Sequence, residues 1–387
     1  MNIKDDAELI NYFSKTRKLQ KSTYLSYKTY IKQYTEFNQK TMIELLQEAE
    51  DEEEQGIRWK HRTLRKRLIE FRAYLYDNYA YSTAKSRFSK LLAFYKHFEI
   101  EIHQLPKIST INADKTHMGF KDLPDKGIIK KALKVANPVM RAIILFMSSS
   151  GSARAETRNL TIQDFIDATN NKYISYHQSD NIYEVINQLK NRDDITPIFH
   201  MKRQKTNKYY YTFCSPEASS EIINYLSSRT VKLTPETPLF DVSQQMFSIY
   251  FREINNKLGL GKLDNRRAKF TSHMLRKFHS TSLWNEKVSV EIVDTLQGRG
   301  KDQTHSSYFW ENPLKLRELY IDHMDCLTIN LDVNSLSIKS PEFVKLETEN
   351  VELRKLNDET NKRMDDLEKL VLGSISSEKL AKLHKLL

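Results

Sequence analysis

Four short stretches of the sequence place cationic or proton-donating side chains beside an expected turn or element end. In SSSGSARAETRNLT (148–161) a glycine turn leads into a helix with Arg154 close to its start. In KRQKTNKYY (202–210) Lys205 projects from a hairpin turn. TSHMLRKF (271–278) sets His273 and Arg276 three residues apart, on one face of a helix. LQGRGKDQTHSSYFW (296–310) carries Arg299 nine residues before Tyr308.

Together these residue types suit one reaction. Two arginines offer planar, permanently charged forks that can clamp a phosphate. When an oxygen nucleophile attacks a phosphodiester, charge spreads over a pentacoordinate phosphorus, and fixed guanidinium groups stabilise that state more than the ground state. A lysine or histidine can protonate the departing 5′-hydroxyl or accept the tyrosine proton. A phenol, with a reference pKa of about 10, becomes a nucleophile where nearby cations favour its phenolate. The combination allows transfer of a DNA strand onto Tyr308 and then onto another hydroxyl. Taken singly, each piece also has an ordinary structural use. Arg154 can pair with Glu156, Lys205 can simply solvate a turn, and Tyr308 is one of 20 tyrosines.

The elements that must position these residues are mainly helical. Tyr24, Tyr27, Ile31 and Tyr34 recur at helical spacing, as do Leu64, Leu68, Phe71 and Leu75, then Ala84, Phe88, Leu92 and Tyr95. The faces between these stripes are basic, with Arg58, Lys60, Arg62, Arg65, Lys66 and Arg67 in one run and Lys85, Arg87 and Lys90 in the next. Such faces suit phosphate contact, although a charged helix face is often only solvated. The acidic run EAEDEEEQ (48–55) would be repelled by nucleic acid and is expected on a loop or face turned away from it. Residues 106–125 lose the helical period and read as a linker. Pro138 divides the following apolar stretch into two helices. ITPIFHM and KYYYTFC, around 195–214, form a hairpin whose turn lacks glycine. Helical patterns follow at 217–228, 243–257, 271–286, 289–297 and 314–327. Beyond them Phe343, Leu346, Asn350, Leu353, Asn357, Thr360, Met364, Leu367 and Val371 keep coiled-coil spacing.

The reading is therefore a mainly α chain with one small β-sheet. It has a helical domain at 1–105, a linker at 106–125, an α+β domain at 126–335 and a helical, coiled-coil-like tail at 336–387. Lys and Arg number 61 against 50 Asp and Glu, a net charge of +11 that favours a polyanionic partner. The two cysteines, Cys214 and Cys326, fit neither a disulfide framework nor a zinc site and suggest a reducing compartment. The first residues lack a signal-peptide profile, and VMRAIILFM is too short to span a membrane. A cytoplasmic, nucleoid-associated location is expected, with no metal, no cofactor, no membrane and no small-molecule substrate.

The order Arg154, Lys205, His273-x-x-Arg276, Arg299, Tyr308 resembles the tyrosine recombinases, or phage-type integrases, and its substitutions are similar to those of the divergent integrases of archaeal viruses and plasmids. SSGSARAETRNLTIQDF is similar to their arginine box, KTNKYYYTFCSPEA to their lysine hairpin, HMLRKFHSTSL to their HxxR helix and LQGRGKDQTHSSYF to their tyrosine box. YSTAKSRFSKLLAFYKHFEI resembles their helical core-binding domain. The resemblance covers roughly residues 15–325. It implies two domains that clamp a DNA duplex, with protomers assembling as a tetramer on DNA. It also implies that Arg154 and Arg276 hold the scissile phosphate, Lys205 is a general acid, His273 a base or phosphate ligand, and Tyr308 forms a 3′-phosphotyrosyl link.

Three positions depart from the pattern. Counting back from Leu160, the first arginine should fall on Ala153, so Arg154 is one residue late, and Arg158 is a less suited substitute. Arg299 stands where the family has His or Trp, and Lys277 where many members have a second histidine. Two other readings remain open on sequence alone. A type IB topoisomerase would relax supercoils with the same chemistry, and a DNA-binding protein with a decayed site would bind without forming an adduct.

Overall fold

The computed structural model describes residues 4–108, 119, 122–170, 172–174, 181–263, 267–299 and 312–329. The chain divides into two compact units, Met1–His117 and Met118–Leu387. Among the described residues no helix is long and apolar enough to cross a membrane.

The first unit is five helices: α1 (Asp6–Thr16), α2 (Lys21–Asn38), α3 (Met42–Glu54), α4 (Thr63–Asn78) and α5 (Tyr81–His97). Its core follows the apolar stripes of the sequence, with Tyr27, Ile31 and Tyr34 of α2 meeting Leu68 and Phe71 of α4 and Phe88, Phe94 and Tyr95 of α5. Two phenols lie wholly inside it. The Tyr95 hydroxyl donates to that of Tyr34 at 3.2 Å, so neither polar tip is stranded.

The acidic run lies on a helix rather than a loop. It is the second half of α3, and it faces the basic helix directly. Arg67 reaches Glu48 at 2.7 Å and Arg62 reaches Glu53 at 2.6 Å, while the Glu52 carboxylate accepts the Thr63 backbone N–H at 2.6 Å. A carboxylate at the start of α4 satisfies an orphan donor and meets the positive end of the helix dipole. Arg62, at 8% exposure, is held inside the fold.

The second unit is built around α7 (Pro138–Ser150), which follows α6 (Lys126–Val135). Pro138 opens α7, where its missing N–H costs nothing, and the Asn137 side chain caps the turn by accepting the Met140 N–H at 2.9 Å. From Ala142 to Ser150 every residue of α7 is buried. After it come α8 (Arg154–Asn159), α9 (Ile162–Thr169), α10 (Ile182–Lys190), the hairpin β1 (Ile198–Lys202) and β2 (Tyr209–Phe213), then α11 (Pro216–Ser227) and α12 (Gln244–Lys257). The strands β3 (Lys262–Leu263) and β4 (Arg267–Ala268) precede α13 (Ser272–Asn285), α14 (Val290–Leu296) and α15 (Pro313–Asp322). Helices α11 and α13 pack on α7. The β3–β4 pair is a second sheet that the sequence does not announce, because two-residue strands carry no alternation to read.

The hairpin register pairs Ile198 with Phe213 and Lys202 with Tyr209. Its glycine-free turn is closed by Asn207, whose φ of 60° puts it in the left-handed region that asparagine tolerates better than most residues. The Arg203 N–H donates to Lys208 O at 2.7 Å and the Arg203 carbonyl accepts from the Asn207 N–H at 2.8 Å, extending the ladder one step beyond Lys202. The predicted heptad from Phe343 to Val371 lies outside the described residues.

Candidate active site

The serine-rich end of α7 and the turn after it are buried and hydrogen-bonded to their surroundings. The Thr212 hydroxyl donates to Ser150 O at 2.8 Å, the Tyr320 hydroxyl to Ser149 O at 2.9 Å, and Ser152 and Thr157 share a hydrogen bond of 2.8 Å. These bonds fix the turn against β2 and α15. At its centre Gly151 has a φ of +64°, and a Cβ there would come within 2.6 Å of the His279 ring and 2.9 Å of Gln297. Only glycine satisfies both limits.

Arg276 projects from α13 beneath this turn. Its side chain is buried, and its guanidinium donates to Gly151 O and to Gln297 O, each at 2.6 Å. Gln297 answers by donating to Arg276 O at 3.0 Å and meeting His279 Nδ1 at 3.0 Å. The residue after it, Gly298, has a φ of +60° and lies flat on the Tyr210 ring, where a Cβ would stand 2.5 Å from a ring carbon. One arginine thus ties the end of α7 to the end of α14. Burial, then the fields of Arg203 and Arg299, lower its pKa to about 10, which leaves it charged at neutral pH.

His273 lies one turn earlier on α13 and is exposed. Partial desolvation by the surrounding protein and the charges of Lys277, Arg276, Arg299 and Arg267 depress its pKa, so the imidazole is neutral at physiological pH and can accept a proton. Arg299 follows α14, and its guanidinium is paired with Asp294 at 2.9 Å. Lys205 is exposed in the hairpin turn. The structure therefore gathers His273, Arg276 and Arg299 into one electrostatic cluster. It does not bring Arg154 there: that side chain, at the start of α8, donates to Ser248 Oγ on α12 at 3.1 Å. Arg158 turns to Val242 O at 3.3 Å. Tyr308, with His305, Phe309 and Trp310, lies outside the described residues. Among the described residues no group of His, Cys, Asp and Glu is placed to hold a metal ion.

Residues 127–313 match the family model described as the phage integrase family. That stretch is a domain of the phage integrase family, the tyrosine recombinases. The match spans every part of the cluster just described and includes position 308. A search of curated proteins finds no match. Among solved structures, XerA recombinase is 18% identical, with 82% of this chain and 97% of that chain covered and a TM-score of 0.33. A transposon Tn1549 integrase in complex with circular intermediate DNA is 12% identical, covering 83% of this chain and all of that one at a TM-score of 0.48. A lambda integrase dimer bound to a COC′ core site is 14% identical, with 79% and 98% covered at 0.44.

Two residues of this recombinase's site escape the sequence reading. His279 is fully buried beside Gly151, and burial with the Arg276 and Arg299 charges drives its pKa down to about 3. The unfolded chain then binds a proton near the ordinary pKa that the native state refuses. Stability is held above the unfolded pKa and lost as pH falls through it toward the folded value. The second unit is expected to lose about 2 kcal/mol between pH 7.5 and pH 5 from this group alone. Urea unfolding across that range measures it, and a flat profile would mean that the ring is protonated in the folded state. The other residue is Arg203, on the inner face of the hairpin beside Glu156. The available signal was its place two residues after Met201, which strand alternation assigns to the same face.

Proposed function

We propose that this chain is a site-specific DNA recombinase that cuts and rejoins duplex DNA through a 3′-phosphotyrosyl link on Tyr308, without a metal ion. The observation that carries this reading is the Arg276 brace. A buried, permanently charged fork is held at a glycine turn, with a neutral histidine one turn away on the same helix. In the proposed reaction the Tyr308 oxygen attacks phosphorus and the bond to the 5′-oxygen breaks. His273 takes the phenol proton, and Lys205, on the exposed hairpin turn, protonates the departing 5′-oxygen. Arg276 stabilises the charge that develops on the non-bridging oxygens, and Arg299 adds positive potential beside them. Arg154, on the rim, is read as a DNA contact.

The first unit is read as the DNA-clamping domain. Arg58, Lys60, Lys66 and Lys85 are exposed and Arg65 is half-buried. Lys90 lies over the Tyr30 ring at 5.0 Å, and Arg87 is clasped at 3.9 Å from the Tyr79 ring centre. Exchange between two DNA sites calls for four protomers, so a tetramer on DNA is the proposed working state.

The test is a duplex, selected from a random library for binding to the full chain and nicked just beyond the cut site so that religation is lost. A stable protein–DNA adduct whose peptide maps to residues 300–311 is expected. Ala153, in the place of the family's first arginine, favours the rival reading of a binding protein with a decayed site, which predicts specific binding and no adduct. Relaxation of supercoiled plasmid without sequence preference would point to a topoisomerase instead.

A further inference from the structure

Within the recombination reading, on which this inference rests, the phosphate site lacks its second arginine. Ala153 stands where it should, and Arg154 reaches away to Ser248. A different arginine is present. Arg203 continues β1 beyond Lys202, and the pleat puts it on the face of Met201 and Tyr210, both buried. Its guanidinium is 3.2 Å from the Glu156 carboxylate, which also accepts the Gln204 backbone N–H at 3.2 Å. Ala153 is the N-cap of α8 and Glu156 the third residue of the helix, so the two are neighbours at its first turn. A guanidinium held by Glu156 therefore sits beside the space that a long side chain at 153 would occupy.

The charge balance of this cluster is unequal. Among the described residues Arg203 and Arg276 face one carboxylate, that of Glu156, and all three side chains are largely withdrawn from water. The hydrogen bonds of Arg276 go to neutral carbonyls, and Asp294 already answers Arg299. Glu156 Oε2 and Arg203 Nη1 are buried and make no hydrogen bond. Two desolvated cations against one anion are costly unless another anion completes the site. A phosphate would do so, and the reading above brings one there.

We propose that Arg203 is the second phosphate-binding guanidinium of this site, supplied by the hairpin in place of Ala153 and oriented by Glu156. Arg203 and Arg276 then grip the two non-bridging oxygens, while Lys205, two residues along the same turn, is brought in register with the departing 5′-oxygen.

The experiment compares adduct formation on the selected nicked duplex with that on the same duplex carrying a methylphosphonate at the scissile position. There a neutral methyl replaces one charged oxygen, so the reaction no longer needs the cation that would neutralise it. Arg203→Ala is expected to form adduct about 100-fold more slowly than wild type on phosphate, and to recover at least about tenfold relative to wild type on methylphosphonate. Arg203→Lys keeps a cation beside Glu156, and so keeps the fold, but loses the fork; it should show the same pattern at smaller amplitude. Arg154→Ala should show no such recovery. An equal loss on both substrates for the Arg203 variants would make Arg203 a brace of the hairpin and overturn the proposal. Recovery by Arg154→Ala instead would give the role to Arg154. If wild type binds the duplex but forms no adduct on either substrate, the recombination reading falls and takes this assignment with it.

Discussion

Tyr308→Phe is expected to abolish the covalent adduct while DNA affinity stays at the wild-type value. The substitution removes one oxygen and leaves a ring of the same shape. If that oxygen becomes bonded to phosphorus, the variant has no atom at that position to make the bond. General acid and electrostatic contributions, by contrast, are each worth only a few powers of ten. The measurement is a denaturing gel of protein and end-labelled nicked duplex, run beside a binding titration. An adduct formed by the phenylalanine variant would move the nucleophile to another residue. A loss of binding equal to the loss of adduct would make the hydroxyl a contact rather than the attacking atom.

Arg276→Lys is expected to slow adduct formation by about 10²–10³-fold. The wild-type guanidinium spends two of its nitrogens on Gly151 O and Gln297 O. The N–H groups that remain are aimed by those two bonds, and in the proposed reaction they are the ones that meet the phosphate. A lysine has one nitrogen at the end of a flexible stem. It can keep the charge and one carbonyl, but it cannot join both turns and meet an anion as well. The carbonyl left without a donor should also lower stability, by about 1–3 kcal/mol. Assays run well below the variant's melting temperature separate the two effects. A rate within about tenfold of wild type under those conditions would remove Arg276 from the phosphate site and leave it as a structural tie.

The helices and the main hairpin were legible because each carries its own period. Pro138 showed where one helix had to end and the next could begin, and the apolar stripes of α2, α4 and α5 lie in the core as read. What could not be read was pairing between segments. The acidic run looked like a surface to be kept away from DNA, whereas its carboxylates serve as counter-charges for Arg62 and Arg67 and as a cap for α4. Arg203 was hidden for a similar reason: its partner Glu156 is 47 positions earlier (203 − 156), and only the register of the hairpin brings the two together. The order of the boxes pointed to the family, yet an arginine counted along one turn said nothing of another arriving from a strand. The heptad and the tyrosine box fall outside the described residues, so for them the sequence remains the source of the expectation.

The brace of Arg276 across Gly151 and Gln297 also bears on how the chain acquires its activity. Its contacts join segments separated by 125 and 21 positions, so neither can form until the intervening elements have packed. Closing such loops costs entropy that the contacts repay only once the segments are packed. A chain still emerging or partly collapsed has its cations scattered, without the turn that would aim them at a phosphate. The capacity to break a DNA strand is thereby an all-or-none property of the finished domain, a safeguard written into the topology of the site.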